Sequence, residues 1–394
     1  MAGGILMKRS MSGILIPLIY ASAVVLLLLF SYTQVDLSLT LSRLSIYQTI
    51  EKSFQHIGYY QRPLATAMFL GLVALFFGMY EWALLAVRRG SLTIHGIRKI
   101  IIGMAVVLIF SYPAFSYDIF NYMFDAKTVV IYHKLPYSVT PLQFTGVEPW
   151  LSFMHWTHIP SNYMPLWIAL SVPAYLTGFG YFLGILWSFK ALMAAAYLVC
   201  AWFIWKILSR LEPRHATLGV AIFALNPLVI FETLVSGHND MVMMAFAIAA
   251  FYAYLTKHRL ASFVLLSFSA GTKIMTGVLV PLFVIGWQRK WSLVATAVGF
   301  ILFIAVTGRE VLPWYLLWFL PWIALLPRVN WIRVTGTILS AGLLLSYAPF
   351  LYNGDYQPST QTAKLAVNLV MLSLVGLWIL VGIIRSRRHV LHLP

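Results

Sequence analysis

The chain has 394 residues, of which 61% are hydrophobic and only 10% are charged, and its mean hydropathy is +0.85. A soluble domain averages roughly 25% charged residues, so this composition predicts a chain that folds in lipid. A net charge of +16 would suggest a nucleic-acid partner in a soluble protein, but basic cytoplasmic loops of a membrane protein explain it better. We therefore expect an all-α, polytopic transmembrane protein with residues 1–394 as a single integral membrane domain and no nucleic-acid partner.

Apolar segments predict about 12 membrane crossings with both termini in the cytoplasm. In chain order the expected spans are 14–31, 64–87, 100–116, 181–208, 217–231, 241–255, two short helices within 260–287, 292–307, 314–326, 334–350 and 365–384. A full crossing needs about 20 residues, so the two helices within 260–287 would leave Lys273 in the membrane or in a wet cavity. We expect the apolar segment 164–179 to be re-entrant or interfacial at the outer surface.

Basic residues support this topology, because Lys and Arg concentrate in cytoplasmic loops. The first span has a basic stem but no small-residue cleavage site, so we expect a retained anchor. The basic residues placed in the cytoplasm are Lys8, Arg9, Arg88, Arg89, Arg98, Lys99, Lys206, Arg210, Arg214, Lys257, Arg259, Arg289, Lys290, Arg328, Arg333, Arg385, Arg387 and Arg388.

A polar cluster begins the long outer loop, 117–162, directly after an apolar span. Asp118 and Asp125 lie seven residues apart, and a helix would place both on one face with Tyr122. A carboxylate at a membrane boundary is costly to desolvate and is usually functional. We expect Asp118 to act as a general base and Asp125 to bind substrate or assist a metal. Alternatively, Asp118 caps the helix through free backbone N–H groups.

Further polar residues in the outer segments predict one pocket at the outer leaflet. Acids there would transfer protons or bind sugar hydroxyls, and cations would bind phosphate. The candidate substrate-binding residues are Tyr122, Asp125, Lys127, Tyr163, Glu232, His238, Asn239, Asp240, Lys273, Arg309 and Trp314.

Several of these residues also have structural interpretations. Asn239 or Asp240 could cap the helix that follows the Gly237 turn. Glu232 could be either a buried partner for a cation or a residue at the membrane boundary.

The two cations, Lys273 and Arg309, have similar alternatives. Lys273 could extend to the surface, and Arg309 could form a surface ion pair with Glu310. The aromatic stripe that includes Trp314, Trp318 and Trp322 is typical of an interfacial belt, although sugars also stack on such rings.

No cofactor is expected with certainty, and a divalent cation has only weak support. His155 and His158 could ligate a metal, but they have no cysteine and no second histidine pair nearby. Walker A, dinucleotide-binding and HExxH motifs are all absent, which argues against nucleotide-driven transport and zinc proteolysis. The single cysteine, Cys200, excludes an intramolecular disulfide.

Several short motifs occur in a characteristic order between Tyr117 and Trp322. The motifs are Asp118-Ile119-Phe120-Asn121-Tyr122, Leu135-Pro136-Tyr137, Ser161-Asn162-Tyr163-Met164-Pro165-Leu166-Trp167, Asn226-Pro227-Leu228, Gly237-His238-Asn239-Asp240, Gly271-Thr272-Lys273 and Pro313-Trp314-Tyr315. Together they resemble the GT-C class of polytopic glycosyltransferases, particularly the bacterial mannosyltransferases that depend on polyprenol-phosphate-mannose.

The resemblance implies an inverting hexosyl transfer in a bacterial plasma membrane. A polyprenyl-phosphate-linked sugar, expected to be mannose, would be the donor, and a lipid or glycan would be the acceptor at the extracytoplasmic face. Asp118 matches the carboxylate that removes the acceptor proton in this class. No acidic residue follows Asp118 at +1 or +2, which weakens a metal role. The alternatives are a transporter or flippase of lipid-linked saccharides, disfavoured because no inverted repeat is evident, and a ligase or polymerase of glycan chains.

Overall fold

The computed structural model describes the backbone of residues 2–390 and the side chains of residue 13 and of residues 15–381. This part of the chain is helical and contains no strand, which confirms the all-α prediction. In chain order the α-helices are α1 (Ala2–Tyr32), α2 (Ser45–Gln55), α3 (Arg62–Arg88), α4 (Ile94–Leu108), α5 (Asp118–Val130), α6 (Pro165–Leu176), α7 (Phe182–Leu211), α8 (Ala216–Ala224), α9 (Pro227–Val229), α10 (Asp240–Leu255), α11 (Arg259–Thr272), α12 (Val280–Ile285), α13 (Arg289–Thr307), α14 (Leu320–Ala324), α15 (Asn330–Leu345), α16 (Ala348–Asn353) and α17 (Pro358–Val390).

Short helical segments of other types connect these helices. Two are π-helices, His56–Tyr60 and Ile230–Ser236, the second of which continues α9 directly. The others are the 3₁₀-helices Pro141–Phe144, Pro149–Ser152, Pro213–His215, Ile274–Leu279 and Pro313–Trp318.

Six helical segments within the described chain are long and apolar enough to cross a membrane. They are α1, α3, α7, α13, α15 with α16, and α17. A seventh crossing results if the segments Pro213–Ala224 and Pro227–Ser236 are one span, bent by 53°. These helices confirm the polytopic architecture, whereas the predicted total of about 12 crossings stays a prediction.

Shorter apolar helices fill the predicted positions between the long ones. α11 ends at Thr272, and a second short helical segment covers Ile274–Ile285. The predicted division of 260–287 at Lys273 is therefore confirmed. α6 has 12 residues and extends about 18 Å at 1.5 Å per residue, which is too short to cross the hydrocarbon core.

Neither of the predicted spans 100–116 and 314–326 is one continuous helix. α4 ends at Leu108, eight residues before the end of the predicted span. Proline disfavours helical conformation in the residue before it, and Pro113 lies within the irregular segment that follows α4. The predicted span 314–326 is instead a 3₁₀-helix and the short helix α14, with a proline at the first position of the 3₁₀-helix and at the second position of α14.

The interior is built around α7 and α10. α10 packs against α7, α11 and the 3₁₀-helix Pro313–Trp318, and α5 packs against α6 and α7. The segment from α8 to the first half of α10 is almost completely buried. α5 and α10 are thereby held on the same central helix, α7.

Candidate active site

A turn between the π-helix and α10 carries most of the polar residues. Asn226 caps α9 by accepting the Leu228 N–H at 2.9 Å, and the π-helix ends at Gly237, whose φ is +81°. A Cβ atom at position 237 would lie 2.8 Å from Cδ1 of Ile119. Glycine is therefore required both by the left-handed backbone and by the close approach of α5. This contact brings the turn next to Asp118.

Asp118 is the first residue of α5, and Tyr117 occupies the cap position. Within the described chain no backbone N–H donates to the Asp118 carboxylate; the backbone N–H of Asp118 itself donates to Ser116 Oγ at 3.3 Å. The alternative role as a helix cap is therefore not supported. The side chain is 20% exposed, and its Oδ2 lies 3.7 Å from Nδ1 of His238. The carboxylate is thus partly free to meet a ligand.

His238 lies between two carboxylates. Its Nε2 is 3.2 Å from Oε2 of Glu232, and both side chains are completely buried. The imidazole stacks on Trp314 with ring centroids 4.2 Å apart and an interplanar angle of 20°. Trp314 therefore holds the ring between Glu232 and Asp118, and Glu232 is buried rather than at a membrane boundary.

Asp240 and Lys273 form an ion pair beside this group. Lys273 Nζ donates to Asp240 Oδ1 at 2.7 Å, and the lysine side chain is 29% exposed. Trp318 Nε1 donates to the same oxygen. Asp240 therefore uses its carboxylate to fix a cation and not to cap α10. Asn239 does not cap α10 through its side chain either, since its Oδ1 accepts from Tyr122 OH at 3.4 Å.

Arg309 follows a sharp helix end. Gly308, with φ +61°, ends α13 and turns the chain at Arg309. Among the described residues no acidic side chain forms an ion pair with Arg309, because Glu310 pairs with Lys364 at 2.7 Å. The alternative of an Arg309–Glu310 ion pair is therefore not supported.

The pKa of Asp118 is affected by burial and by the charged residues around it. Burial raises this pKa above its ordinary value of 3.8, and His238 opposes the rise when its imidazole is protonated. Lys273 and Arg309 also lower the pKa, whereas Asp240 raises it. The cations predicted for the pocket, apart from Lys127, therefore act directly on the predicted base.

Aromatic side chains form one wall of the site. The Tyr122 ring makes edge-to-face contacts with Tyr163, at 4.7 Å between centroids, and with Trp167, at 5.0 Å. The negative charge of Asp118 raises the pKa of both tyrosines, in addition to the larger effect of burial. Tyr122 and Tyr163 thus lie near Asp118, as the sequence predicts for residues of one pocket.

Asp125 lies on the same face of α5 but makes a separate contact. Ser161 Oγ donates to its Oδ2 at 2.6 Å, and the residue is buried. Burial raises the pKa of Asp125 to about 7, although the Ser161 hydrogen bond opposes the rise. The structure therefore ties Asp125 to the segment before α6.

Lys127 lies away from Asp118. Nine residues at 3.6 per turn place the two side chains on opposite sides of α5. Lys127 Nζ is 2.7 Å from Glu148 Oε2 and 4.1 Å from the centre of the Trp150 ring. The structure thus does not bring Lys127 to the other candidate residues.

Three residues have roles that the sequence analysis missed or misassigned. Lys190, completely buried within α7, donates to Ser111 Oγ at 2.8 Å and to the carbonyls of Leu234 and Val235 in the π-helix. Its position within an apolar span could have identified it. Trp318 and Trp322 are buried, so an interfacial belt is wrong for these two tryptophans.

The two histidines considered as metal ligands, His155 and His158, differ in their surroundings. His155 stacks on Tyr117 with centroids 4.2 Å apart, and His158 is exposed. Within the described chain no group of three or more His, Cys, Asp or Glu residues is arranged to hold a metal ion. The arrangement around Asp118 supplies a carboxylate for proton transfer and cations for an anionic ligand.

Comparison with known proteins agrees with the motif pattern. Residues 23–289 match the family described as Alpha-(1->6)-mannopyranosyltransferase, N-terminal domain. The chain is 23% identical over 293 residues to Alpha-(1->6)-mannopyranosyltransferase A of Mycobacterium tuberculosis, an alignment that covers 69% of this chain and 54% of the relative. The chain thus spans about half the length of this relative, and no solved structure shows significant similarity to it. Because the family match covers more than half of the chain, the protein belongs to the alpha-(1->6)-mannopyranosyltransferase family.

Proposed function

We propose that this protein transfers mannose from a polyprenyl-phosphate-linked donor to a lipid or glycan acceptor. Family membership supports mannosyl transfer, and the name of the mycobacterial relative supports an α-(1→6) linkage in the product. The observation that carries the proposal is the setting of Asp118, a partly exposed carboxylate surrounded by Lys273, Arg309 and His238. This combination suits a reaction that releases a proton and a phosphate at neighbouring atoms.

Asp118 would act as the general base. The acceptor hydroxyl loses its proton to Asp118 as its oxygen forms a bond to C1 of mannose. The bond from C1 to the phosphate oxygen breaks on the opposite face of the sugar, and the phosphate leaves with the electron pair. Attack from the opposite face inverts the configuration at C1, so a β-linked donor would give an α-mannoside.

Cations would stabilise the leaving phosphate. Negative charge develops on the phosphate oxygen in the transition state, and fixed positive groups in a water-poor site are often the largest contribution to catalysis. Arg309 is exposed and has no acidic partner among the described residues, whereas the charge of Lys273 is balanced by Asp240. Arg309 is therefore the main candidate for the phosphate contact, with Lys273 beside it.

Aromatic residues around Asp118 would orient the sugar. Tyr122 and Tyr163 lie close enough to interact with its charge, and half-buried Trp314 borders His238. Sugar rings stack on aromatic faces, so this wall would bind mannose with C1 directed towards the cations. The distribution of basic residues supports an extracytoplasmic position for the whole site, because the basic clusters lie at the other ends of the expected spans.

Purified protein in lipid nanodiscs would test this function with defined donors. Synthetic polyprenyl-phosphate β-mannose, the corresponding glucose donor and GDP-mannose would each be offered with an α-mannoside acceptor that carries an alkyl chain. We expect mannosyl transfer from the polyprenyl donor alone, with an α-linked product by NMR. Transfer from GDP-mannose without a polyprenyl donor would overturn the donor assignment. A β-linked product would overturn inversion.

A further inference from the structure

Glu232 is a buried carboxylate that the proposed reaction does not use. It lies in the π-helix Ile230–Ser236, and its side chain is completely buried. Neither carboxylate oxygen makes a hydrogen bond of good geometry within the described chain. Burying an ionised carboxylate is costly unless a cation or a hydrogen-bond donor compensates it. The group that compensates Glu232 is therefore important.

His238 is that group. Its Nε2 lies 3.2 Å from Glu232, and its other nitrogen, Nδ1, lies 3.7 Å from Asp118. Neither nitrogen has a better hydrogen-bond partner within the described chain, and Trp314 stacks on the ring. The imidazole is thus oriented so that Nε2 faces the buried carboxylate of Glu232 and Nδ1 faces Asp118, the proposed base.

We propose that His238 and Glu232 form a proton relay behind Asp118, a role that rests on the proposed function. Before the reaction the imidazole is neutral with its proton on Nε2, so His238 Nδ1 can take from Asp118 the proton that the acceptor hydroxyl has released. Glu232 acts as a positioning residue that holds Nε2–H and stabilises the imidazolium.

The relay balances without any further reactant. The proton moves from the acceptor oxygen to Asp118 Oδ2 and then to His238 Nδ1, so Asp118 becomes ionised again while the proton is held on an imidazolium between two carboxylates. When product leaves, the proton returns through the partly exposed Asp118 to water. A separation of 3.7 Å is longer than a hydrogen bond, and catalytic contacts of this kind are often long in the unliganded enzyme.

Other charged and titratable groups face this chain from each neighbouring element. Tyr347 faces Glu232, and Asp240 acts on Asp118 as a second negative charge. The remaining groups around Asp118 are Lys273, Arg309, Tyr122, Tyr163, His155 and Tyr315. Among the described residues, His238 is the one side chain that pairs with both Glu232 and Asp118, so substitution of His238 addresses the relay specifically.

Two measurements on the His238→Gln and Glu232→Gln variants would test the relay. The first is the infrared titration of the Asp118 carboxyl, obtained as the pH-dependent difference from the Asp118→Asn variant, which does not depend on mannosyl transfer. The second is the pH profile of kcat/KM with the polyprenyl-phosphate mannose donor. His158→Gln, an exposed histidine of the outer loop, is the matched control.

We expect His238→Gln to raise the pKa of Asp118 by about one unit, because a proton that binds to the wild-type pair goes to the imidazole, and the imidazolium formed at this distance lowers a carboxyl pKa by about 1–3 units. Because activity requires ionised Asp118, the acid limb of the pH profile should move to higher pH by the same amount. Because the variant also lacks an acid–base group, kcat should fall by about 10²-fold. Glu232→Gln should lower kcat by a smaller factor while the KM for the donor is unchanged. The control should match wild type in both measurements.

An Asp118 titration that is unchanged in His238→Gln would overturn the relay, even if the enzyme transfers mannose. A shifted titration in a protein that transfers no mannose would instead support the contact and overturn the proposed function. If His238→Gln does not fold, the test uses Glu232→Gln instead, because this substitution keeps the size and shape of the side chain. Equal kcat in Glu232→Gln and wild type would then contradict the positioning role.

Discussion

At the scale of single residues, the structure separates two carboxylates that the sequence places on one helical face. Asp118 is partly exposed and lies among cations, whereas Asp125 is buried and bonded to Ser161. Helical periodicity predicts the shared face but not the environment of each residue, because that depends on segments distant in sequence. The same limit applies to Lys127, whose partner Glu148 follows 21 residues later.

We expect Asp125→Asn to stabilise the protein at alkaline pH. The pKa of Asp125 is raised to about 7 from 3.8, so the folded state holds a proton that the unfolded state loses, and stability falls as pH rises from about 4 to 7. Asparagine removes this cost and can still accept the Ser161 hydrogen bond. Thermal unfolding should show a higher melting temperature than wild type, with a larger difference at pH 8 than at pH 5. A lower melting temperature at pH 8 would show that ionised Asp125 is stabilising.

Arg309→Ala should slow transfer through weaker stabilisation of the leaving phosphate. Removing one group that stabilises transition-state charge lowers kcat by about 10²–10³-fold at buried sites. Because Arg309 is exposed, we expect a smaller decrease in kcat, of about tenfold. Arg309→Lys should recover part of the rate. Arg43→Ala, which removes an exposed cation from another outer segment, should have no effect in the same steady-state assay. Equal losses at both positions would indicate a general effect of charge.

At the scale of elements, the turn at Gly237 connects the buried π-helix to the site. Gly237→Ala adds a methyl group 2.8 Å from Ile119 and imposes a left-handed conformation that costs about 1–2 kcal/mol in a residue with a side chain. We expect lower thermal stability and reduced transfer, because the clash displaces α5 and thus Asp118. The double variant Gly237→Ala/Ile119→Ala should regain only part of the lost thermal stability and transfer activity, because it relieves the steric clash but not the backbone strain. Wild-type activity in Gly237→Ala would contradict this dependence.

Several elements follow from the sequence, and the exceptions have physical reasons. The break at Lys273 is predictable, because 28 apolar residues between basic clusters exceed one span and cannot make two full ones. The early end of α4 is not, since hydropathy stays high beyond Leu108 while Pro113 and the bonds of Ser111 favour irregular backbone. The aromatic stripe is ambiguous for a related reason: tryptophan is common both at interfaces and in interiors, and only packing distinguishes the two.

At the scale of the whole molecule, the proposed site lies where four segments distant in sequence come together. They contain Asp118, the turn at His238, Lys273 and Arg309. Each of the four residues lies at the end of a helix or within two residues of it, namely α5, α10, α11 and α13, so the helices act as a scaffold and the proposed catalytic residues lie at their ends. The predicted topology places these residues at one face of the membrane, whereas the contacts between individual side chains required the structure.

The proposed orientation predicts opposite accessibility for two surface positions. In a Cys200→Ala background, the His158→Cys variant should react with a membrane-impermeant maleimide in intact spheroplasts. The Lys257→Cys variant should react only after permeabilisation. The native cysteine is completely buried, so its removal should not disturb either surface. Labelling of position 257 in intact spheroplasts would place the site on the cytoplasmic side and contradict the topology.

The most direct test of the central claim compares wild type and Asp118→Asn with one defined polyprenyl-phosphate mannose donor. Asparagine keeps the size of the side chain but cannot accept the acceptor proton. We expect kcat to fall by about 10²–10⁴-fold, the usual contribution of a general base, with unchanged donor KM and no loss of thermal stability. Wild-type turnover by a folded Asp118→Asn protein would contradict the assignment of Asp118 as the base.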